Sequence, residues 1–185
     1  MTAIIFGLIA CKALTLGLTT YFSVIYFIYF AAAFSILIAL SGYDLRHKII
    51  PDQLVFAFIV LAVFSPFITS TTHYFGSTWI DHGVAGLTLA ALFAFLWAIS
   101  RGRWMGFGDA KLSLGMGLLL GLSTGVAAVM IAFWSGAIIG LLSLLLRRTT
   151  LTMKSEIPFA PFLVLGTAIA FFFSIDLSVL ARLFS

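Results

Sequence analysis

Charge is scarce in this sequence. Asp, Glu, Lys and Arg together make up 9% of its 185 residues, against about 25% in an ordinary soluble domain. Glutamate occurs once, at Glu156, and lysine is rare, so a coiled coil, which needs both along its flanks, is excluded. Cysteine also occurs once, at Cys11. That excludes a disulfide framework and any Cys-x-x-Cys zinc or haem attachment site. Alternating apolar and polar residues are missing as well, which argues against a membrane β-barrel. Disorder is ruled out by the opposite excess, a hydrophobic content of 63%.

What fills the chain is apolar sequence, with a mean hydropathy of +1.22. A spanning helix takes about 20 residues. The chain therefore reads as one all-α, polytopic membrane bundle over residues 1–185, with six or seven transmembrane helices and no separate soluble domain. Runs at 21–40, 54–68, 83–100, 125–146 and 159–175 read readily as spans or parts of them. The run 110–122 is shorter and glycine-rich, so it can cross only if it is buried among other helices or extended by its flanks. The first 20 residues are ambiguous. Lys12 lies in their middle, and a charge at a helix centre costs roughly 2.5–3.5 kcal/mol on insertion scales. Either they form a separate first span, or one long helix runs over 13–41. With no basic stretch and no small-residue cleavage pattern, the start reads as a signal anchor.

The net charge of +4 does not point to nucleic acid, because the charges sit in short loops between apolar runs. Arg46 and Lys48 share one loop. Arg101, Arg103 and Lys111 mark a second, and Arg147, Arg148 and Lys154 a third. The loop 69–82 between the first two has no Lys or Arg. The positive-inside rule puts the three basic loops in the cytoplasm, and the alternation works only if 110–122 crosses. Gly117, Gly121 and Gly125, and then Gly136 and Gly140, recur at every fourth position, a spacing that lets helix backbones approach closely.

The acidic residues are Asp44, Asp52, Asp81, Asp109, Glu156 and Asp176. Two crossings separate Asp44 from Asp109, so both lie at the same cytoplasmic membrane edge. Ionisable groups there are functional candidates by default. Two carboxylates that share a site cannot both ionise easily, so one can act as a base towards water while the other donates a proton. That is the chemistry of an aspartic protease, and it needs no metal or cofactor. Gly106 and Gly108 precede Asp109 and would let another chain lie close. Alternatively, Asp109 is the N-cap of the helix that follows. Asp52, after Pro51, reads better as an N-cap than as a catalyst. His73, Asp81 and His82 share the outer loop, where Tyr74, Trp79 and His82 read as interfacial anchors rather than a metal site.

Three blocks resemble the type IV prepilin peptidases, bacterial members of the GxGD intramembrane aspartic proteases. They are Asp44 through Ile50-Pro51-Asp52, then Gly106-Phe107-Gly108-Asp109-Ala110-Lys111-Leu112, then Ile157-Pro158-Phe159-Ala160-Pro161-Phe162-Leu163. The last block usually has Gly where Ala160 stands. The resemblance covers roughly residues 41–166. It implies a GxGD protease fold and a catalytic pair, Asp44 and Asp109. It implies removal of short basic leaders from prepilin or pseudopilin substrates at the cytoplasmic face of the bacterial inner membrane. Pilus and secretion assembly machinery would then be indirect partners, and lipid the surrounding one. Larger family members add a cytoplasmic domain with Cys-x-x-Cys motifs and methylate the product. This chain is similar to the short Flp-type (tight-adherence) peptidases, with methyl transfer expected to be absent. Lys111 belongs to the motif and either orients Asp109 or snorkels to headgroups. Pro158, Phe159 and Pro161 form a substrate-facing turn or simply begin the last helix. Two rival readings come from other classes: a small transporter relaying protons through the two aspartates, and a non-catalytic assembly protein of a pilus or secretion system.

Overall fold

The computed structural model describes residues 2–15, 20–69, 75–103, 105–145 and 158–184. Among these the backbone forms nine helices and no strand: α1 (Thr2–Thr15), α2 (Thr20–His47), α3 (Asp52–Val63), α4 (Ser65–Thr69), α5 (Phe75–Ser100), α6 (Phe107–Leu120), α7 (Leu122–Leu145), α8 (Ala160–Phe172) and α9 (Leu177–Phe184). The fold is an all-α membrane bundle, as the composition requires.

Four stretches are long and apolar enough to cross a membrane: Tyr21–His47, Asp52–Thr69, Thr78–Ser100 and Leu122–Leu142. They correspond to four of the expected runs. The second is broken in its backbone at Phe64, where α3 gives way to α4 and Pro66 enters the first turn of the new helix. The other helices are shorter. At about 1.5 Å per residue, the 14 residues of α6 span only part of a hydrocarbon core about 30 Å thick.

The ambiguity at the N-terminus resolves as two helices. Phe6 and Phe27 would lie about 31 Å apart along one continuous helix. Their ring centroids are instead 6.4 Å apart, so α1 folds back along α2. Lys12, in the last turn of α1, bonds the carbonyl oxygen of Phe171 and, at 3.1 Å, the hydroxyl of Ser174. Its charge is thereby placed at the C-terminal end of α8, where a helix dipole favours a cation.

α6 lies at the centre, packed on α3, α5, α7 and α8. Ala110, Leu112, Ser113, Gly115, Met116, Gly117 and Leu119 are all buried, so the short run is enclosed by other helices, as its composition demanded. Gly117 explains how α5 comes so near. A Cβ there would sit 2.6 Å from the backbone of Ala85 and Gly86, closer than any side chain tolerates. The fourth-residue glycine spacing is not uniformly a packing signal, however. A Cβ on Gly140 would meet nothing within 4 Å. Gly121 has φ +78° and ends α6.

The C-terminal end of α6 is closed by side chains from other helices. Ser65 donates to the Leu119 carbonyl at 2.7 Å, the His82 ring nitrogen Nδ1 lies 2.6 Å from the Leu118 carbonyl, and Asp81 accepts from the Leu122 amide at 3.1 Å. His82 is buried, not an interfacial anchor as its position in the loop suggested. Its partner is a helix carbonyl that would otherwise lack a donor. Trp79 packs edge-on against Phe67. His73, Tyr74 and the third basic loop lie outside the described residues. Among the described residues no cluster of His, Cys, Asp or Glu is placed to hold a metal.

Candidate active site

Asp44 sits in the last turn of α2 and Asp109 in the first turn of α6. Both side chains are turned inward: Asp44 is 5% and Asp109 4% exposed. Both line one cavity of about 360 Å3, and Asp109 lies within the electrostatic field of Asp44. Asp44 Oδ2 and Asp109 Oδ1 are buried with no hydrogen-bond partner among the described residues. A buried carboxyl oxygen left unpaired is costly. Both acids line the cavity, so their oxygens are open to whatever enters it.

The local backbone explains how each acid arrives there. α2 ends at His47, where Lys48 takes a left-handed φ of +54° and its amide bonds the Asp44 carbonyl at 2.8 Å. The chain then runs through Ile49 and Ile50 to Pro51, whose extended backbone (φ −70°, ψ 121°) opens α3. Pro51 occupies the N-cap position, with no side-chain cap, and Asp52 is the first helical residue. The N-cap expectation for Asp52 is thus corrected. Its carboxylate instead meets the Lys111 ammonium at 2.7 Å.

Before α6 the backbone is extended at Gly106 (φ −75°, ψ 153°). Gly106 is therefore the N-cap, and Asp109 stands in the first turn rather than capping it. The two glycines do different work. A Cβ on Gly108 would come within 2.8 Å of the Ile50 Cβ, so the bare Cα lets the Asp44–Asp52 connection press against α6. A Cβ on Gly106 would meet nothing closer than 3.9 Å, and Gly106 presents open backbone to the cavity. At Gly108 the room left by the missing side chain is taken by this protein's own Ile50.

The third block completes the cavity. Pro158 and Phe159 line it, while Pro161 does not and occupies the first turn of α8. Ala160 is fully buried. The Lys111 ammonium meets Asp52 and lies 5.7 Å from the centre of the Phe107 ring.

Several lining residues escaped the sequence reading as site residues: Lys48, Ile49, Ile50, Arg103 and Met105. Lys48 and Arg103 were visible only as orientation signals. Their place at the mouth of the same cavity shows that the first two basic loops share one end of the bundle. Ile49, Ile50 and Met105 carried no chemical signal, though Ile49 and Ile50 lie inside the first block and Met105 directly precedes the second.

Comparison with known proteins identifies a family. Residues 31–141, more than half of the chain, match the type IV leader peptidase family. A prepilin leader peptidase/N-methyltransferase of Xanthomonas campestris pv. campestris is 29% identical over 148 residues, covering 76% of this chain and 48% of the relative. Its namesake in Legionella pneumophila is 31% identical over 144 residues, covering 74% and 47%. Another, in Burkholderia pseudomallei, is 28% identical over 142 residues, covering 74% and 43%. The chain thus spans about half the length of the curated relatives it matches. No solved structure gives a significant match.

Proposed function

The chain belongs to the type IV leader peptidase family, and from that premise we propose that it is a membrane aspartic endopeptidase that cuts the leader from prepilin-like proteins. One observation carries this reading. Two buried carboxyls, from helices far apart in sequence, share one cavity, each with an unpaired oxygen.

The chemistry follows from that pair. One carboxyl is ionised and the other protonated. The ionised oxygen takes a proton from a water held between them as the water attacks the scissile carbonyl. The protonated carboxyl donates to the carbonyl oxygen, giving a neutral tetrahedral diol. Collapse breaks the C–N bond and a proton goes to the departing amine. The products are one carboxylic acid and one amine, and the pair ends with the protons it began with. The two carboxyls titrate as a unit, so base and acid are roles of the pair.

Gly106 offers an extended substrate a place to lie without a side chain in the way. Ile49, Ile50, Met105, Phe107 and Phe159 supply apolar walls beside the acids. We assign the cavity to the cytoplasmic face of the bacterial inner membrane, because Arg46, Lys48, Arg101 and Arg103 gather at that end. The substrates proposed are prepilins or pseudopilins, Flp-type ones first. The surrounding partners are lipid and, indirectly, the pilus assembly machinery.

The test is cleavage of co-expressed prepilins, followed by the mass of the pilin. Wild type is expected to release the leader, and Asp44→Asn and Asp109→Asn to leave it attached. The product mass also reads whether a methyl group is added. Leader removal that survives either substitution would overturn the paired-aspartate mechanism.

A further inference from the structure

Resting on the peptidase reading, we propose that the Asp52–Lys111 ion pair is a clasp that positions the two catalytic aspartates relative to each other. The need for such a device is plain from the packing. Asp44 rides on α2 and Asp109 on α6, yet these two helices do not pack extensively on each other: α2 packs on α1, α3 and α8, and α6 mainly on α3 and α5. The two acids are therefore held relative to each other through the elements that touch both helices, α8 and α3, and α3 is joined to α2 by the short connection from Lys48 to Pro51.

Two contacts fix that connection to the first turns of α6. Ile50 lies against the bare Cα of Gly108. Asp52, the first residue of α3, holds Lys111 at 2.7 Å. Gly108 and Lys111 bracket Asp109 along α6. The clasp thus grips α6 on both sides of one catalytic acid and ties it to the segment that begins just after the other.

The ion pair is too exposed to serve the fold. The Lys111 and Asp52 side chains are 38% and 73% exposed, and pairs of that kind contribute little to stability. Geometry is different, because a shift of about 1 Å in a reacting group can cost about 100-fold in rate. Lys111 is accordingly a positioning residue, acting through Asp52 and not on Asp109 directly.

The test uses the full chain in detergent micelles with a full-length prepilin. Lys111→Asp and Asp52→Lys are each expected to lower kcat by about tenfold to 100-fold while KM stays within about twofold. The double variant with the charges exchanged is expected to return kcat to within about threefold of wild type, as coupled neighbours do in a double-mutant cycle. Single variants with unchanged kcat, or an exchanged double variant no better than the worse single one, would overturn the clasp.

A second arm needs no substrate. In a Cys11→Ser background, Asp44→Cys with Asp109→Cys reports the approach of the two positions through disulfide formation with copper phenanthroline. That cross-link tolerates only a narrow range of Cα separations. Adding Lys111→Ala is expected to slow it by about fivefold or more; an unchanged rate would overturn the clasp. Failure of the wild-type chain to cleave any prepilin would count against the peptidase reading, and the cross-linking rate would still decide the clasp.

Discussion

The two ends of α6 carry similar polar side chains and use them in opposite ways. At the C-terminal end, Ser65, His82 and Asp81 each bond a backbone group at the close of α6 or the start of α7. At the other end, Asp44 and Asp109 are buried like Ser65 and His82, whereas Asp81 is exposed, yet each of the two keeps an oxygen without a partner among the described residues. The first arrangement removes the cost of ending a helix inside a bundle. The second leaves carboxyl oxygens facing a cavity. Burial alone therefore does not mark a site in this protein. Burial combined with an unpaired oxygen does.

The largest expected effect tests that contrast directly. Asp109→Asn should abolish leader cleavage while leaving thermal stability unchanged or higher, since it relieves a carboxyl held unpaired beside another. Asp81→Asn should do the reverse, retaining activity per folded molecule and lowering stability by about 1 kcal/mol through a weakened bond to the Leu122 amide. Parallel cleavage and melting measurements on the two variants check this. Equal losses of activity would erase the distinction between the two ends.

The next effect concerns packing at the active end. Gly108→Ala should destabilise by about 1–3 kcal/mol, because its Cβ collides with Ile50. Gly106→Ala should melt with wild type, because its Cβ enters open space. Comparable melting shifts for both would show that the glycines do not divide their roles as the geometry indicates.

At the C-terminal end of α6, Ser65→Ala leaves the Leu119 carbonyl without its donor and should cost about 1–3 kcal/mol. Turnover per folded molecule should be unaffected. A large fall in turnover would mean that the two ends are coupled through α6.

The smallest effect is a pH dependence far from the cavity. Asp176 precedes α9 and accepts from the Val179 amide at 2.9 Å and the Ser178 hydroxyl at 2.8 Å. These bonds hold its carboxyl below the ordinary aspartate value near 3.8. A group lowered by folding contributes above its unfolded value and loses that contribution as pH falls through the folded one. Amide exchange in α9 should therefore rise only on acidification below that range, and Asp176→Asn should remove the dependence. Exchange that rises equally in the variant would assign it to another group.

Much of this was legible in the chain. Long apolar runs with few charges dictate helices in lipid, because unpaired backbone groups are intolerable there. Counting crossings between basic loops placed Asp44 and Asp109 at one depth, and the tertiary structure puts them in one cavity. The partner of Asp52 was not legible. Its neighbours Pro51 and Leu54 suggested a cap, whereas Lys111, 59 positions later, takes the carboxylate. Nor was His82 legible, because its loop position gave no sign of a carbonyl waiting on another helix.

The sequence by itself determined the class of fold, the position of the main apolar helices and the level of the two acids, since these depend on hydropathy and on charge placed locally along the chain. Only the tertiary structure decided which side chains meet: Lys111 with Asp52, Ile50 with Gly108, His82 with Leu118, and α1 with α2. The reason is physical. Lipid is as apolar as the interior of the bundle, so the inward and outward faces of each helix look alike in sequence. The rotation of each helix, and with it every contact between helices, is set by packing rather than by any periodicity that can be read in advance.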